Sequence, residues 1–196
     1  NVNLVPLGLD PVTGRFDSFS GLWNSSSKTY SAFGQLTIDI LENLQLAGGA
    51  RYTSQSYRTM GGNDYVHGVF AGFGFSRAAG DYITGKSSDD NVSPEATLTW
   101  HPTPDTTLYA AYKTGFKSGG YAQTNLVTQA FTEDTIRFSP EKVKGFELGA
   151  KGRFFDRKLQ LTAAAYRYKF SNLQVQTFDA AAISNQIRMA ASAGTA

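Results

Sequence analysis

Residues 31–53, SAFGQLTIDILENLQLAGGARYT, determine the fold class of this chain. The apolar residues fall on every second position, first at Leu36 and Ile38 and then at Leu44 and Leu46. This period of two is typical of a β-strand that has one apolar face and one wet face. The Glu-Asn step between the two runs suits a tight turn, so the segment predicts an antiparallel hairpin.

The same alternation recurs along the chain. It predicts long strands at 30–40, 44–57, 106–117 and 142–154, with apolar residues at even-numbered positions, and a further strand in the same series at 92–100. Each is as long as the ~9 to 11 residues that cross a bilayer when tilted, or longer, whereas soluble strands average about 5 or 6. Residues 159–170 depart from the pattern, because their apolar positions change from odd to even partway. A β-bulge or a segment that faces other protein would explain this change.

The connections between the predicted strands are alternately short and long. Turn-like segments at 41–43, 101–105 and 155–158 alternate with polar, Gly-rich segments at 58–90 and 118–138. Short turns at one end and long loops at the other are typical of outer-membrane barrels.

The predicted fold is all-β, an antiparallel up-and-down meander that forms part of a transmembrane β-barrel. Residues 1–27 are predicted to be irregular, 28–178 to form the meander, and 179–196 to be a loop that leads into a next strand. A soluble β-sandwich with an aromatic-filled core is the alternative.

Composition excludes several classes of protein. The 196 residues include no cysteine, which excludes disulfide scaffolds, thiolate metal centres and cysteine nucleophiles. A formal charge of +2 does not indicate a nucleic-acid partner. No apolar run approaches the ~18 residues of a membrane helix. No serine, histidine and carboxylate set has a recognisable spacing, so we expect neither enzymatic activity nor a cofactor.

Residues 80–87, GDYITGKS, match the pattern of a phosphate-binding P-loop. That chemistry needs a buried strand before the loop and a helix after it. The flanks fit neither requirement, since FGFSRAA precedes the motif and the acidic, Pro-containing SSDDNVSPE follows Lys86. We therefore interpret the motif as part of a Gly-rich external loop.

No metal site is predicted. His67 lies in a long connection and His101 in a short one, so the two are expected at opposite ends of the strands. Asp81, Asp89 and Asp90 offer hard oxygen ligands for calcium, but we favour a solvated loop as their explanation.

Three stretches carry a resemblance to a known family. They are the segment 31–53, LYAAYKTGFKSGGY at 108–121, and FSPEKVKGFELGAKGRFFDRKLQLTAAAYRYKFSNLQVQ at 138–176. In this order they resemble the barrel of TonB-dependent outer-membrane receptors, and the resemblance covers roughly residues 28–176.

The resemblance implies an import receptor in the outer membrane of a Gram-negative bacterium. Such a barrel is filled by an N-terminal plug and takes up scarce ligands, most often ferric siderophores, with energy delivered by TonB. We expect six strands and the start of a seventh here, without the plug, so the chain is interpreted as an internal fragment that meets TonB only through the missing plug. The alternative is a small complete outer-membrane barrel or a passive porin, which needs neither plug nor TonB.

Ligand contacts are expected on the polar, odd-numbered face of the strands and in the long loops. The candidates are Arg51, Tyr65, Tyr82, Lys113, Lys117, Tyr121, Arg167 and Lys169. Ion pairing within the receptor is the alternative role for the cations. Lys113, Lys117, Arg167 and Lys169 are also candidates for contact with lipopolysaccharide phosphates, and the apolar face is expected to meet outer-membrane lipid.

Overall fold

A computed structural model of the chain describes residues 7–179 and 184–189. Six long strands form one antiparallel sheet in chain order, and two small hairpins accompany it. The main-sheet strands are β1 (Phe19–Leu41), β2 (Leu44–Val66), β3 (Ile83–Thr103), β4 (Thr106–Lys117), β7 (Glu141–Phe154) and β8 (Leu159–Ser171). The hairpins pair β5 (Gly120–Tyr121) with β6 (Arg137–Phe138) and β9 (Gln174–Asp179) with β10 (Ser184–Met189), and the helices are α1 (Gly68–Gly72) and α2 (Glu133–Ile136). The predicted all-β antiparallel meander is confirmed.

The register of the ladders places the apolar residues on one face of the sheet. Leu46 pairs with Leu98, and Ala110 pairs with both Leu98 and Leu148, so even-numbered residues of β1, β2, β3, β4 and β7 lie opposite one another. Directly paired residues point to the same side of a sheet. We call this side the apolar face, and the side that carries the odd-numbered residues the polar face.

Irregular pairing beside two tight turns maintains this arrangement. The register shifts between Asp39 and Leu41 in β1 and between Trp100 and Thr103 in β3. A two-residue turn pairs an odd-numbered residue with an even-numbered one, as for Leu41 and Leu44. A bulge of this kind adds one residue to one strand, so that beyond it even residues pair with even residues.

The turn from β7 to β8 lacks such a correction. Pairing is continuous from Phe154 with Leu159 up to Lys142 with Ser171, so even residues of β7 face odd residues of β8. The bulge that the sequence suggested within 159–170 is therefore not what changes its pattern. The apolar face of β8 consists of its odd-numbered residues, which are apolar up to Ala165 and basic at Arg167 and Lys169.

Three predicted boundaries are wrong. β1 begins at Phe19, inside the region expected to be irregular, and the expected loop 58–90 is largely strand. In these extensions both faces are polar, so no hydrophobic alternation marks them as strands. Most of the P-loop-like motif consequently lies in β3 and not in a loop. The predicted segment 179–196 includes β10, and its residues 180–183 and 190–196 lie outside the described residues.

The buried core lies beside the sheet's long-loop end and not along the apolar face. Its residues are Ile83, Tyr121, Ala122, Val127, Phe131 and Ile136. In contrast, the apolar face is uncovered, with exposed fractions of 77% for Leu36, 65% for Phe146 and 61% for Leu148. Contiguous apolar surface of this kind marks contact with a membrane or a protein partner. Within the described residues, neither helix has the length and hydropathy needed to span a bilayer.

The face assignment of β8 can be tested with single cysteines, since this chain has none of its own. In the full-length protein reconstituted with brominated lipid, a bimane label on Leu161→Cys is expected to be strongly quenched. The label on Thr162→Cys, on the polar face, is expected to be quenched much less. The reverse order would place the register of β8 one residue away from the pairing described above.

Candidate functional site

The two long connections fold over the polar face at one end of the sheet. We call residues 67–82 and 118–140 together the loop cap. Trp23 Nε1 donates a hydrogen bond to the Thr124 carbonyl at 2.7 Å, and the rings of Tyr57 and Tyr121 stack with centroids 6.0 Å apart. Because Trp23 and Tyr57 are odd-numbered residues of β1 and β2, these contacts fix the loop cap to the polar face.

A buried asparagine joins the two halves of the loop cap. The side chain of Asn63, which is fully buried, donates to the carbonyls of Arg77 at 2.8 Å and Val127 at 2.7 Å. Its Oδ1 accepts from the Val127 amide at 2.9 Å. Arg77 also donates through Nη1 to the Phe131 carbonyl at 2.7 Å. Buried polar groups stabilise a fold only when they are hydrogen-bonded. Here the hydrogen bonds of Asn63 and Arg77 link the two long connections to each other.

Tyr121 is a core residue of the loop cap and does not face an open surface. Its side chain is only 4% exposed, and its hydroxyl donates to Glu133 Oε1 at 2.9 Å. Burial and this carboxylate acceptor raise the pKa of Tyr121 to about 12. Tyr121 is therefore buried in this structure, and its predicted role in ligand binding remains a prediction.

Tyr65 also has a structural role. Its hydroxyl donates to Asp10 Oδ2 at 2.7 Å, and the guanidinium carbon of Arg15 lies 4.1 Å from its ring centre. Burial raises the pKa of Tyr65, while hydrogen bonds from the Val12 amide and Tyr65 hold the pKa of Asp10 well below its usual range. Tyr82 is only half-buried. Of the three predicted tyrosines, Tyr65, Tyr82 and Tyr121, it is the one that a ligand can reach.

An open groove of about 520 Å³ lies along the polar face below the loop cap. Its lining includes Arg51, whose guanidinium carbon lies 5.2 Å from the centre of the Phe33 ring, and Glu95. A cation over an aromatic ring beside a carboxylate suits a ligand that carries both flat and charged groups. The predicted role of Arg51 in ligand binding remains a prediction.

Lys113 and Lys117 lie on the same face. Lys113 Nζ is 4.0 Å from Glu147 Oε2, and Glu147 also accepts hydrogen bonds from Tyr109 at 2.6 Å and Tyr168 at 3.2 Å. Lys113 therefore has an ion-pair partner within the chain, which fits the alternative role of ion pairing. Lys117 ends β4 opposite Glu141, close to the loop cap.

Arg167 and Lys169 lie on the opposite face from the one predicted. Arg167 pairs with Phe146 and Lys169 with Lys144, so all four side chains project from the apolar face. The physical reason is the uncorrected β7–β8 turn, which exchanges odd and even positions in β8.

The remaining candidate ligands are separated. His67 is buried and accepts from the Val69 amide at the start of α1, whereas His101 lies beside the tight turn after β3. Asp89 and Asp90 point to opposite faces of β3 because they are adjacent in a strand. Among the described residues no group of three or more histidine and carboxylate side chains is positioned to hold a metal ion.

Trp23, Asn63, Lys142 and Lys144 are the important residues that the sequence interpretation missed. Trp23 and Asn63 lie in segments with no alternation, so nothing in the sequence marked them. Lys142 and Lys144 did leave a signal, because they occupy even positions in the same series as Phe146 and Leu148.

A sheet of long antiparallel strands with an uncovered apolar face, tight turns at one end and large loops at the other is part of a membrane β-barrel. Residues 6–194 match the family described as TonB dependent receptor-like, beta-barrel, and the chain belongs to that family.

Individual relatives match smaller parts of the chain. It is 32% identical over 94 residues to the probable TonB-dependent siderophore receptor PiuA of Acinetobacter baumannii, covering 47% of this chain and 13% of that protein. It is 29% identical over 136 residues to the pesticin receptor of Yersinia pestis, covering 69% of this chain and 18% of that protein. The chain thus spans between 13% and 18% of the length of these relatives.

The fold is shared with a solved receptor. The ferric yersiniabactin uptake receptor FyuA from Yersinia pestis superposes with a TM-score of 0.62 at 21% identity, covering 79% of this chain and 22% of that chain.

Docking of the loop cap depends on Gly85, where a Cβ atom would lie 2.6 Å from Tyr121 Cζ. We expect Gly85→Leu to displace Tyr121 and destabilise the loop cap by the ~1 to 3 kcal/mol typical of overpacking. Gly34→Leu is the matched control, because nothing lies within 4 Å of a Cβ there. Hydrogen exchange of residues 118–140 measures the effect, and equal protection in both variants would contradict it.

The segment before β1 is expected to detach at acid pH. Asp10 has a lowered pKa when folded, so its stabilising effect is complete above its ordinary value of 3.8 and is lost as the pH falls below that value. Hydrogen exchange of residues 7–18 between about pH 5 and about pH 3 should show this loss. Asp10→Asn should remove most of the pH dependence, whereas Asp17→Asn should retain it.

Proposed function

We propose that this chain is part of the wall of an outer-membrane receptor that binds ferric siderophores and imports them. The proposal rests on the difference between the two faces of the sheet. One face is apolar and uncovered, and the other carries the groove and the loop cap. The apolar face suits outer-membrane lipid, and the polar face then lines the inside of the barrel. The names of the relatives support a siderophore as the ligand class.

TonB is the proposed source of energy, acting through a plug domain on the receptor that contains this chain. Family membership supports this arrangement over a passive porin, which needs no energy source. We propose transport, not catalysis, as the activity, in the outer membrane of a Gram-negative bacterium. Lipopolysaccharide is the expected neighbour of the outer part of the apolar face.

The loop cap and the groove beneath it are the proposed site of ligand capture. Because residues 67–82 and 118–140 interlock through Asn63, they form one unit over the opening of the barrel. Arg51, Lys117 and Tyr82 are the predicted contacts that remain on or beside this surface. Lys113 contributes less, since Glu147 partly neutralises it.

Replacement of residues 68–82 and 122–136 by Gly/Ser linkers tests this proposal in the full-length receptor. We expect loss of high-affinity binding across a panel of ferric catecholate, hydroxamate and phenolate siderophores, with a heat-resistant barrel retained. Uptake of the bound siderophore should also cease in cells that lack TonB. Unchanged binding after both replacements would place recognition elsewhere in the receptor.

A single substitution gives a finer test. Arg51→Ala is expected to weaken siderophore binding about tenfold, as loss of one charged contact costs more than about 1.4 kcal/mol. Arg153→Ala, at the other end of the polar face, serves as the charge-matched control. Equal affinities of the two variants would exclude the groove as the binding surface.

The membrane assignment predicts different costs on the two faces. Leu148→Arg should destabilise the barrel by the ~2 to 4 kcal/mol typical of a basic residue near the bilayer midplane, whereas Thr97→Arg on the polar face should cost much less. Refolding titrations in lipid measure both values. Equal losses would contradict the face assignment.

A further inference from the structure

Four phenylalanines form a continuous cluster at the start of the loop cap. The Phe70 ring is buried and lies edge-on to the buried ring of Phe19, with centroids 6.3 Å apart. It also lies edge-on to the rings of Phe73 and Phe75, at 6.2 and 6.0 Å. Those two rings are nearly parallel, with an interplanar angle of 13° and centroids 6.2 Å apart. We call Phe73 and Phe75 the phenylalanine stack.

The phenylalanine stack is held in place by the other half of the loop cap. The Gln129 amide donates a hydrogen bond to the Phe75 carbonyl at 2.9 Å, and Ser76 forms a β-bridge with Thr128. Phe70 supports both rings of the stack from the buried side. A ring that is already fixed loses little conformational freedom when a ligand packs against it.

The outer ring of the stack is open to a ligand. Phe73 is 67% exposed, whereas Phe75 is half-buried. Phe73 lies between two glycines, and among the described residues no atom outside the adjoining chain lies within 4 Å of a Cβ at Gly72 or Gly74. Gly74 has a φ of +71°, a left-handed conformation that turns the chain directly after Phe73. The backbone therefore leaves room beside the exposed ring.

The cluster lies on the polar-face side of the sheet. Phe19 and Trp23 are both odd-numbered residues of β1, so both project from the polar face. Phe19 contacts Phe70, and Trp23 contacts the Thr124 carbonyl in the other half of the loop cap. The phenylalanine stack is thus on the same side of the sheet as the groove that contains Arg51.

We propose that the phenylalanine stack packs against an aromatic iron-binding ring, so that the receptor favours ferric catecholates and phenolates over ferric hydroxamates. Catecholate and phenolate groups are benzene rings, whereas a hydroxamate group contains no ring. Aromatic pairs gain free energy beyond that of simple area burial when they stack in an offset arrangement or meet edge-on. This inference rests on the proposed function, and it adds the chemical class of siderophore and the residue that selects it.

The test measures equilibrium binding of ferric catecholate, phenolate and hydroxamate siderophores to the full-length receptor by isothermal titration calorimetry. We expect the wild type to bind the catecholates and phenolates more tightly than the hydroxamates. Phe73→Leu should weaken binding of the two aromatic classes about fivefold and leave binding of the hydroxamates unchanged. Phe73→Tyr keeps the ring and should bind all three classes as the wild type does.

Phe155→Leu is the matched control, because Phe155 is 75% exposed and lies in the tight turn between β7 and β8, at the other end of the sheet. It should bind every class as the wild type does. An equal effect of Phe73→Leu on aromatic and hydroxamate complexes, no effect on either, or tighter binding of hydroxamates by the wild type would overturn this inference and leave the receptor function standing. Absence of binding to all three classes would instead refute the proposed function, and this inference with it.

Discussion

The hydrogen-bond register between neighbouring strands is the constraint on which the rest of this structure depends. In a strand, a shift of one residue moves every side chain to the other face. Bulges beside the turns after β1 and β3 keep Leu46, Leu98 and Leu148 on a common surface, and the absence of one after β7 exchanges the faces of β8. Which residues lie on the apolar face and which lie on the polar face follows from these three turns.

The long strands also provide the platform on which the loops fold. The apolar face of the sheet is uncovered and forms no buried core. The buried core forms instead at the long-loop end of β1, β2 and β3, where the loop cap packs on the polar face. Asn63 satisfies its amide within the loops, and Gly85 leaves room for the Tyr121 ring. The loop cap is thus a small folded unit of its own, held at the long-loop end of the sheet by the strands.

Hydrophobic alternation in the sequence predicted the sheet well where one face is apolar, and poorly elsewhere. The predicted bounds of β4 agree with the structure, whereas the extensions to Val66 and from Ile83 have two polar faces and no periodic signal. The face of Arg167 was not predicted because the absence of a bulge beside the β7–β8 turn leaves no regular pattern in the sequence. The burial of Tyr121 was not predicted because burial in a loop core depends on contacts across the sheet, here those of Tyr121 over Gly85.

The same register separates two sets of positive charge that composition alone cannot distinguish. Lys113 on the polar face has Glu147 within 4.0 Å, so part of its charge is balanced inside the chain. Lys144 and Lys169 face each other on the apolar face without such a partner in the described residues. Near a bilayer the effective dielectric constant is lower than in water, which raises the free-energy cost of unbalanced like charges. The register therefore places the partly balanced Lys113 on the polar face and the unbalanced pair, Lys144 and Lys169, on the apolar face.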